Sequence, residues 1–158
     1  MIDDTSIPTV VGMRTTSTSI GLTVLRVVLG VVFIAHGAQK FGQGIPAVAD
    51  GFSGMGVPLA EVAAPLVAGL ELVGGVLLVL GVATRIVGVL LAVDMVVAGV
   101  LAHSSAGFFS QDGGFEYVLV LAAGALAVAL TGPGRLSLDA LVLRARRRRR
   151  GVAEPLPA

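Results

Sequence analysis

Four stretches of apolar residues alternate with shorter polar segments along the chain. They cover residues 20–38 (IGLTVLRVVLGVVFIAHGA), 59–83, 86–102 and 115–131. The first two are long enough to cross a hydrocarbon core of ~30 Å as α-helices, and the last two lie at the short end of that range. Upstream, residues 1–19 are polar, with Pro8 and a Thr/Ser cluster, and predict a mobile tail. Residues 41–58 read as a Gly-rich loop holding Pro46 and Pro58. Gly132-Pro133-Gly134 stops the fourth helix, because Pro cannot continue it and Gly permits the turn. Beyond it, Leu138, Leu141, Val142 and Ala145 recur at helical spacing behind Ser137, a residue suited to capping. They predict a short helix lying along the membrane surface. The expected fold is all-α, an integral membrane four-helix bundle with short loops. It divides into a polar tail (1–19), a membrane domain (20–134) and an interfacial helix with a basic end (135–158).

Composition changes the picture in one direction. Of 158 residues 55% are hydrophobic and only 13% charged, against ~25% charged in a typical soluble domain. A soluble chain this short could not hide so much apolar surface. The first span lies behind Asp3 and Asp4 rather than a basic leader, which reads as a retained span and not a cleaved signal. The absence of cysteine excludes disulfides, thiolate metal sites and thiol–disulfide chemistry by this chain itself. The two histidines show no metal-ligand spacing, so no metal is expected.

Charge sets the orientation. Ten of the 11 basic residues are Arg. Arg14 precedes the first span, Arg85 sits in the turn between the second and third, and Arg135 with the terminal run follows the fourth. With four spans all of these fall on one side, and the positive-inside rule makes that side, with both termini, cytoplasmic. Gly30 and Gly37 in the first span, and Gly69, Gly74 and Gly75 in the second, predict close helix approach.

Ionisable groups inside a span cost ~2.5 kcal/mol or more each, so each is a pairing or functional candidate. Arg26, His36, Glu71 and Asp94 form the candidate intramembrane site. By helical rise Glu71 and Asp94 fall near the midplane, and Arg26 is expected to bridge them, either as a structural clamp or as part of a proton or ligand site. Gln39, Lys40, Glu61, His103 and Glu116 gather at the opposite ends as an outer polar mouth, with Lys40 snorkelling and His36 about a turn deeper. A histidine beside a carboxylate could relay protons to a quinone. The tail residues Arg144, Arg146, Arg147, Arg148, Arg149 and Arg150 suit anionic lipid or an acidic partner. No aromatic platform accompanies them, so nucleic acid is not an expected ligand.

The run Leu25-Arg26-Val-Val-Leu-Gly30, Phe33, His36-Gly37 and Lys40-Phe41-Gly42 resembles the opening motif of the DoxX family of bacterial membrane proteins. The match continues through Glu71-Leu-Val-Gly74-Gly75, Leu80-Gly81-Val-Ala-Thr84-Arg85, Gly113-Gly114-Phe-Glu116 and Gly132-Pro133-Gly134-Arg-Leu-Ser137-Leu-Asp139. The resemblance covers about residues 22–142 and implies a four-helix bundle in the bacterial inner membrane. It also implies a partner-dependent redox role. The family name is shared with a membrane subunit of a thiosulfate:quinone oxidoreductase, and relatives are linked with assemblies handling thiol and oxidative stress. Arg26, His36, Lys40, Glu71 and Glu116 match the family's polar positions, and Asp94 rests on its depth. The expectations are a membrane subunit of an oxidoreductase assembly with quinone as candidate cofactor, or a non-catalytic anchor recruiting soluble proteins. A small-solute carrier ranks below both, and self-association stays open.

Overall fold

The computed structural model describes the backbone of residues 7–151 and the side chains of residues 17–146. It is all-helical over that range. Helix α1 spans Ile7–Gln43, α2 Ile45–Gly54, α3 Ala60–Leu80, α4 Thr84–Ala98, α5 Glu116–Thr131 and α6 Leu138–Gly151. Helix α4 runs on through a π-helical turn at Gly99–His103 and a 3-10 turn at Ser104–Ala106. Three apolar segments are long enough to cross a membrane: Ser17–Gln43, Ala60–Leu80 and Thr84–Ala106. Glu116–Thr131 is a shorter apolar helix. The outer faces bear exposed Val and Leu along their lengths, among them Val24, Val28, Val31, Leu66, Val73, Val93 and Leu130. A contiguous apolar exterior of this kind suits lipid and not water.

Small residues set the packing. A Cβ at Gly30 would lie 2.7 Å from the Gly75 carbonyl, and one at Gly37 would lie 2.5 Å from the Leu72 amide. The backbones of α1 and α3 therefore touch, as the glycine spacing predicts, and dispersion between them replaces a hydrophobic drive that lipid cannot supply. Gly88 plays the same part against Ala125 and Ala129 of α5, whereas Gly69 faces open space. Leu29, Phe33, Leu78, Leu91, Met95, Leu121 and Val128 fill the centre.

Two expected coil segments are helical. Helix α1 begins at Ile7, inside the expected mobile tail. Extending an existing helix adds one hydrogen bond per residue fixed, so weak Ser/Thr propensity does not stop it. Residues 1–6 lie outside the described residues. The expected loop at 41–58 contains α2, started by Gly44 at φ 87° with Pro46 in its first turn. Val48 and Ala49 pack it against Ala64 of α3.

At the other end a left-handed Gly81 (φ 71°) closes α3, with Val82 N–H donating to Leu77 O and Gly81 N–H to Leu78 O. The expected cap on α6 is present: Ala140 N–H donates to Ser137 Oγ at 3.1 Å. Leu138, Leu141 and Val142 of α6 stay exposed. The expected ligand-binding side chains Arg147, Arg148, Arg149 and Arg150 lie outside the described residues, whereas Arg144 and Arg146 are exposed.

Candidate functional site

Arg26 is 2% exposed, yet the expected bridge to Glu71 and Asp94 does not form. Its Nη2 donates to Leu136 O at 2.6 Å, while Nε and Nη1 have no hydrogen-bond partner. The guanidinium lies against Gly81 and Ser137. Around it the segment after α5 ties the helix ends together. Arg135 N–H donates to Ser19 Oγ at 2.9 Å, Asp139 N–H to Gly81 O at 3.0 Å, and the Asp139 carboxylate accepts from Ala83 N–H and Thr84 N–H at 3.1 and 3.2 Å. Asp139 thus caps α4 from another helix. A flexible Arg stem can reach back along α1 toward the Leu136 carbonyl and the C-terminal end of α3 at Gly81 as easily as forward to the acids, and the helix dipole favours it there.

Glu71 finds a different cation. Lys40 Nζ donates to Glu71 Oε2 at 2.5 Å, with side-chain exposures of 20% and 4%. Lys40 is therefore turned inward rather than snorkelling to the surface. The pair follows from the glycine contact: Gly37 brings α1 onto Leu72, so the residue one turn on from Gly37 meets the residue just before Leu72.

The two sequence clusters largely merge into one cavity of about 400 Å³ at the α2 end. His36, Lys40, Glu71, Asp94 and His103 all line it. Phe33, Met95 and Leu121 supply apolar wall, and Phe52 and Met55 close in from α2 and the turn after it. Arg26 is remote from this cavity, and Gln39, Glu61 and Glu116 are not among its lining residues. Gln39 and Glu61 are exposed, and Glu116 accepts from Ser110 Oγ at 2.9 Å. His103 Nδ1 donates to Gly113 O at 2.7 Å. Asp94 Oδ2 is enclosed and has no hydrogen-bond partner.

Sequence reasoning missed three contributors. Tyr117, the single tyrosine, lines the cavity with its hydroxyl 3.5 Å from His36 Nε2 and its ring centroid 5.8 Å from the imidazole's. A lone Tyr at the start of a short apolar helix, beside Glu116, is the signal that could have found it. Phe52 and Met55 sit in the segment read as loop, and nothing in their spacing marks them. Among the described residues no group of three His, Cys, Asp or Glu side chains could hold a metal ion.

The comparisons with known proteins agree with this architecture. The DoxX family profile matches residues 21–104. The chain belongs to the DoxX family. It is 38% identical over 131 residues to the Bacillus subtilis protein named "Putative oxidoreductase CatD", covering 83% of this chain and 93% of that one. It is 35% identical over 125 residues to an uncharacterized membrane protein of Mycobacterium tuberculosis, covering 73% and 77% of the two chains. To the Escherichia coli inner membrane protein YqjF it is 31% identical over 123 residues, covering 78% and 92%. No solved structure matches the chain. This DoxX protein is a multi-pass protein of the bacterial inner-membrane type.

Proposed function

We propose that this chain is the membrane subunit of an oxidoreductase-type assembly, in which the cavity at the α2 end receives a quinone headgroup and soluble partners carry the electrons. The observation that carries the reading is the cavity itself. Five ionisable or imidazole side chains from α1, α3 and α4 converge on about 400 Å³ that apolar side chains otherwise wall. Small-molecule sites run from ~300 to 1,000 Å³ with few polar groups on apolar walls, so a headgroup fits by size and lining. His36, Lys40 and Tyr117 offer donors to ring oxygens, and Phe33, Phe52 and Leu121 offer surface to the ring. When bound, a quinone supplies a two-electron acceptor. The residues' part is to orient it and exclude water. With no cysteine the chain cannot itself exchange thiols, so a thiol- or sulfur-oxidising step falls to a partner. The name of the Bacillus subtilis relative supports an oxidoreductase context.

In this reading α5 is a fourth span and both termini are cytoplasmic. Its 16 residues reach only about 24 Å, a shortfall that local bilayer thinning accommodates. Arg85, Arg135, Arg144 and Arg146 all belong to the α6 end, which supports that side as the cytoplasmic one. Reporter fusions after Asp50 and Gly113 are expected to read outside, and fusions after Arg85 and Ala158 inside. An outside C-terminus overturns the orientation.

A second reading, a non-catalytic anchor, draws on α6. Exposed Leu138, Leu141 and Val142 followed by Arg144 and Arg146 suit an anionic lipid surface or an acidic soluble partner. Purification from native membranes in mild detergent separates the two. Co-purifying redox proteins together with extractable quinone, the latter lost from a Tyr117→Leu/His36→Leu variant that still folds, are the expected result. Partner proteins recovered without quinone favour the anchor.

A further inference from the structure

The polar groups of the cavity are not equally available. Glu71 Oε2 is taken by Lys40 at 2.5 Å, His103 Nδ1 by the Gly113 carbonyl at 2.7 Å, and His36 Nε2 lies 3.5 Å from the Tyr117 hydroxyl. Asp94 differs from all of these. Its Oδ2 is cut off from the surface and meets no donor. Buried polar atoms are satisfied as a rule, and an exception asks for an explanation in a ligand, an ion or a function.

We propose that Asp94 is the proton-exchanging carboxyl of this cavity, the acid that a bound ligand meets, while Glu71 is fixed by Lys40 as a positioning group. Three observations converge. The first is that the carboxyl with an orphaned, enclosed oxygen also lines a cavity with room for a small molecule. The second is charge balance. Lys40 is paired with Glu71, and the other titratable groups lining the cavity with Asp94, His36, His103 and Tyr117, include no Lys or Arg. The third is placement. Asp94 stands on α4 beside Met95, across the cavity from the α1 groups, so a molecule bound between them is held from two sides. A carboxyl can also serve both redox forms of a quinone. With its proton it donates to a carbonyl, and without it it accepts from a hydroxyl. Only the identity of the ligand rests on the quinone reading. The division of labour between the two acids does not.

The test is chemical labelling of the full-length protein in liposomes with dicyclohexylcarbodiimide, which adds to proton-bearing carboxyls in apolar surroundings. Adducts are located by peptide mass spectrometry. Asp94 is expected to label faster than Glu71 by roughly five- to tenfold, the factor set by about one net hydrogen bond protecting the paired acid. Lys40→Met is expected to bring Glu71 labelling up toward that of Asp94 wherever the variant folds. Adduct at Glu71 ahead of Asp94, or at neither residue in the folded wild-type protein, overturns the assignment. Prior incubation with a short-chain ubiquinone is expected to slow labelling at Asp94. Site-selective labelling that the ubiquinone leaves unchanged overturns the quinone reading and leaves Asp94 as the exchanging acid.

Discussion

The two ends of this bundle use buried polar residues in opposite ways. At the α6 end, Ser19, Ser137 and Asp139 spend their side chains on backbone groups, and Arg26 gives one nitrogen to Leu136 O. Each contact joins the segment after α5 to α1, to the α3–α4 turn or to its own helix. At the α2 end, His36, Lys40, Glu71 and Asp94 face a common space, and among them only the Lys40–Glu71 pair is a short side-chain to side-chain contact. His103, which also lines the space, is the exception that partners backbone. Burial alone does not separate these cases, since Arg26 and Glu71 are almost equally buried. What separates them is the partner. A group whose partner is backbone holds the fold, and a group whose neighbour is a cavity is free to meet a ligand.

The largest effect that can break this contrast is expected at the cavity. Lys40→Met removes the cation paired with Glu71, which is 3% exposed. Breaking a buried pair from one side leaves the other charge unpaired, and with Lys40 a fifth exposed the cost is expected at about 3 kcal/mol. Adding Glu71→Leu is expected to restore most of the loss, read as the midpoint of thermal or SDS-induced unfolding in detergent. Stability unchanged in the single variant would mean that the pair is held by the cavity and contributes nothing to it.

How far these ends are legible in the sequence differs for a physical reason. The spans and the α1–α3 contact are written in short-range pattern: apolar runs, and Gly30 and Gly37 one heptad apart. The residue types of the cavity are legible too, because an ionisable group inside an apolar run is conspicuous. Pairing is not. Depth places Arg26, Glu71 and Asp94 along the membrane normal but says nothing about which way a side chain leans around its helix. Arg26 leaned toward α6 and Lys40 took Glu71. Asp139 lay in plain view in the motif after Gly134, yet its role depends on a turn fifty-five residues earlier in the chain being beside it. Helix α2 was hidden by its own glycines and prolines, which mark the ends of a short helix as well as they mark a loop.

A smaller effect sharpens the α6 end. Arg26→Leu loses one charge-assisted bond to Leu136 O, worth ~1.5–3 kcal/mol, and removes two nitrogens that lack partners, so a net loss near the low end is expected. Its independence from the acids is the informative part. Glu71→Gln or Asp94→Asn is expected to add to Arg26→Leu within ~0.5 kcal/mol, as separated sites do. Gly81→Ala behaves otherwise, because a Cβ there would overlap the guanidinium. Its cost is expected to fall in an Arg26→Ala background, leaving the contact with Ser137 Cβ at 2.5 Å and the left-handed backbone penalty of ~1–2 kcal/mol. Suppression of Arg26→Leu by either acid variant would return Arg26 to the cavity and collapse the distinction between the two ends.

The smallest effect concerns the cap that α6 lends to α4. Asp139 accepts from Ala83 N–H and Thr84 N–H, two of the donors that the start of α4 leaves without helical partners. Asp139→Ala is expected to cost about 1 kcal/mol, the usual worth of an N-terminal cap, and Asp139→Asn less because the amide keeps one acceptor oxygen. The loss is local. Hydrogen exchange should quicken across residues 82–88 and at the start of α6, while the amides lining the cavity keep their protection. Ala83 also sits at φ 47°, a conformation that costs a residue with a Cβ ~1–2 kcal/mol, so Ala83→Gly is expected to recover a similar amount in the Asp139→Ala background. Exchange that quickens equally at His36, Asp94 and Tyr117 would show that the ends are coupled. The α6 latch would then act on the cavity as well as on the fold.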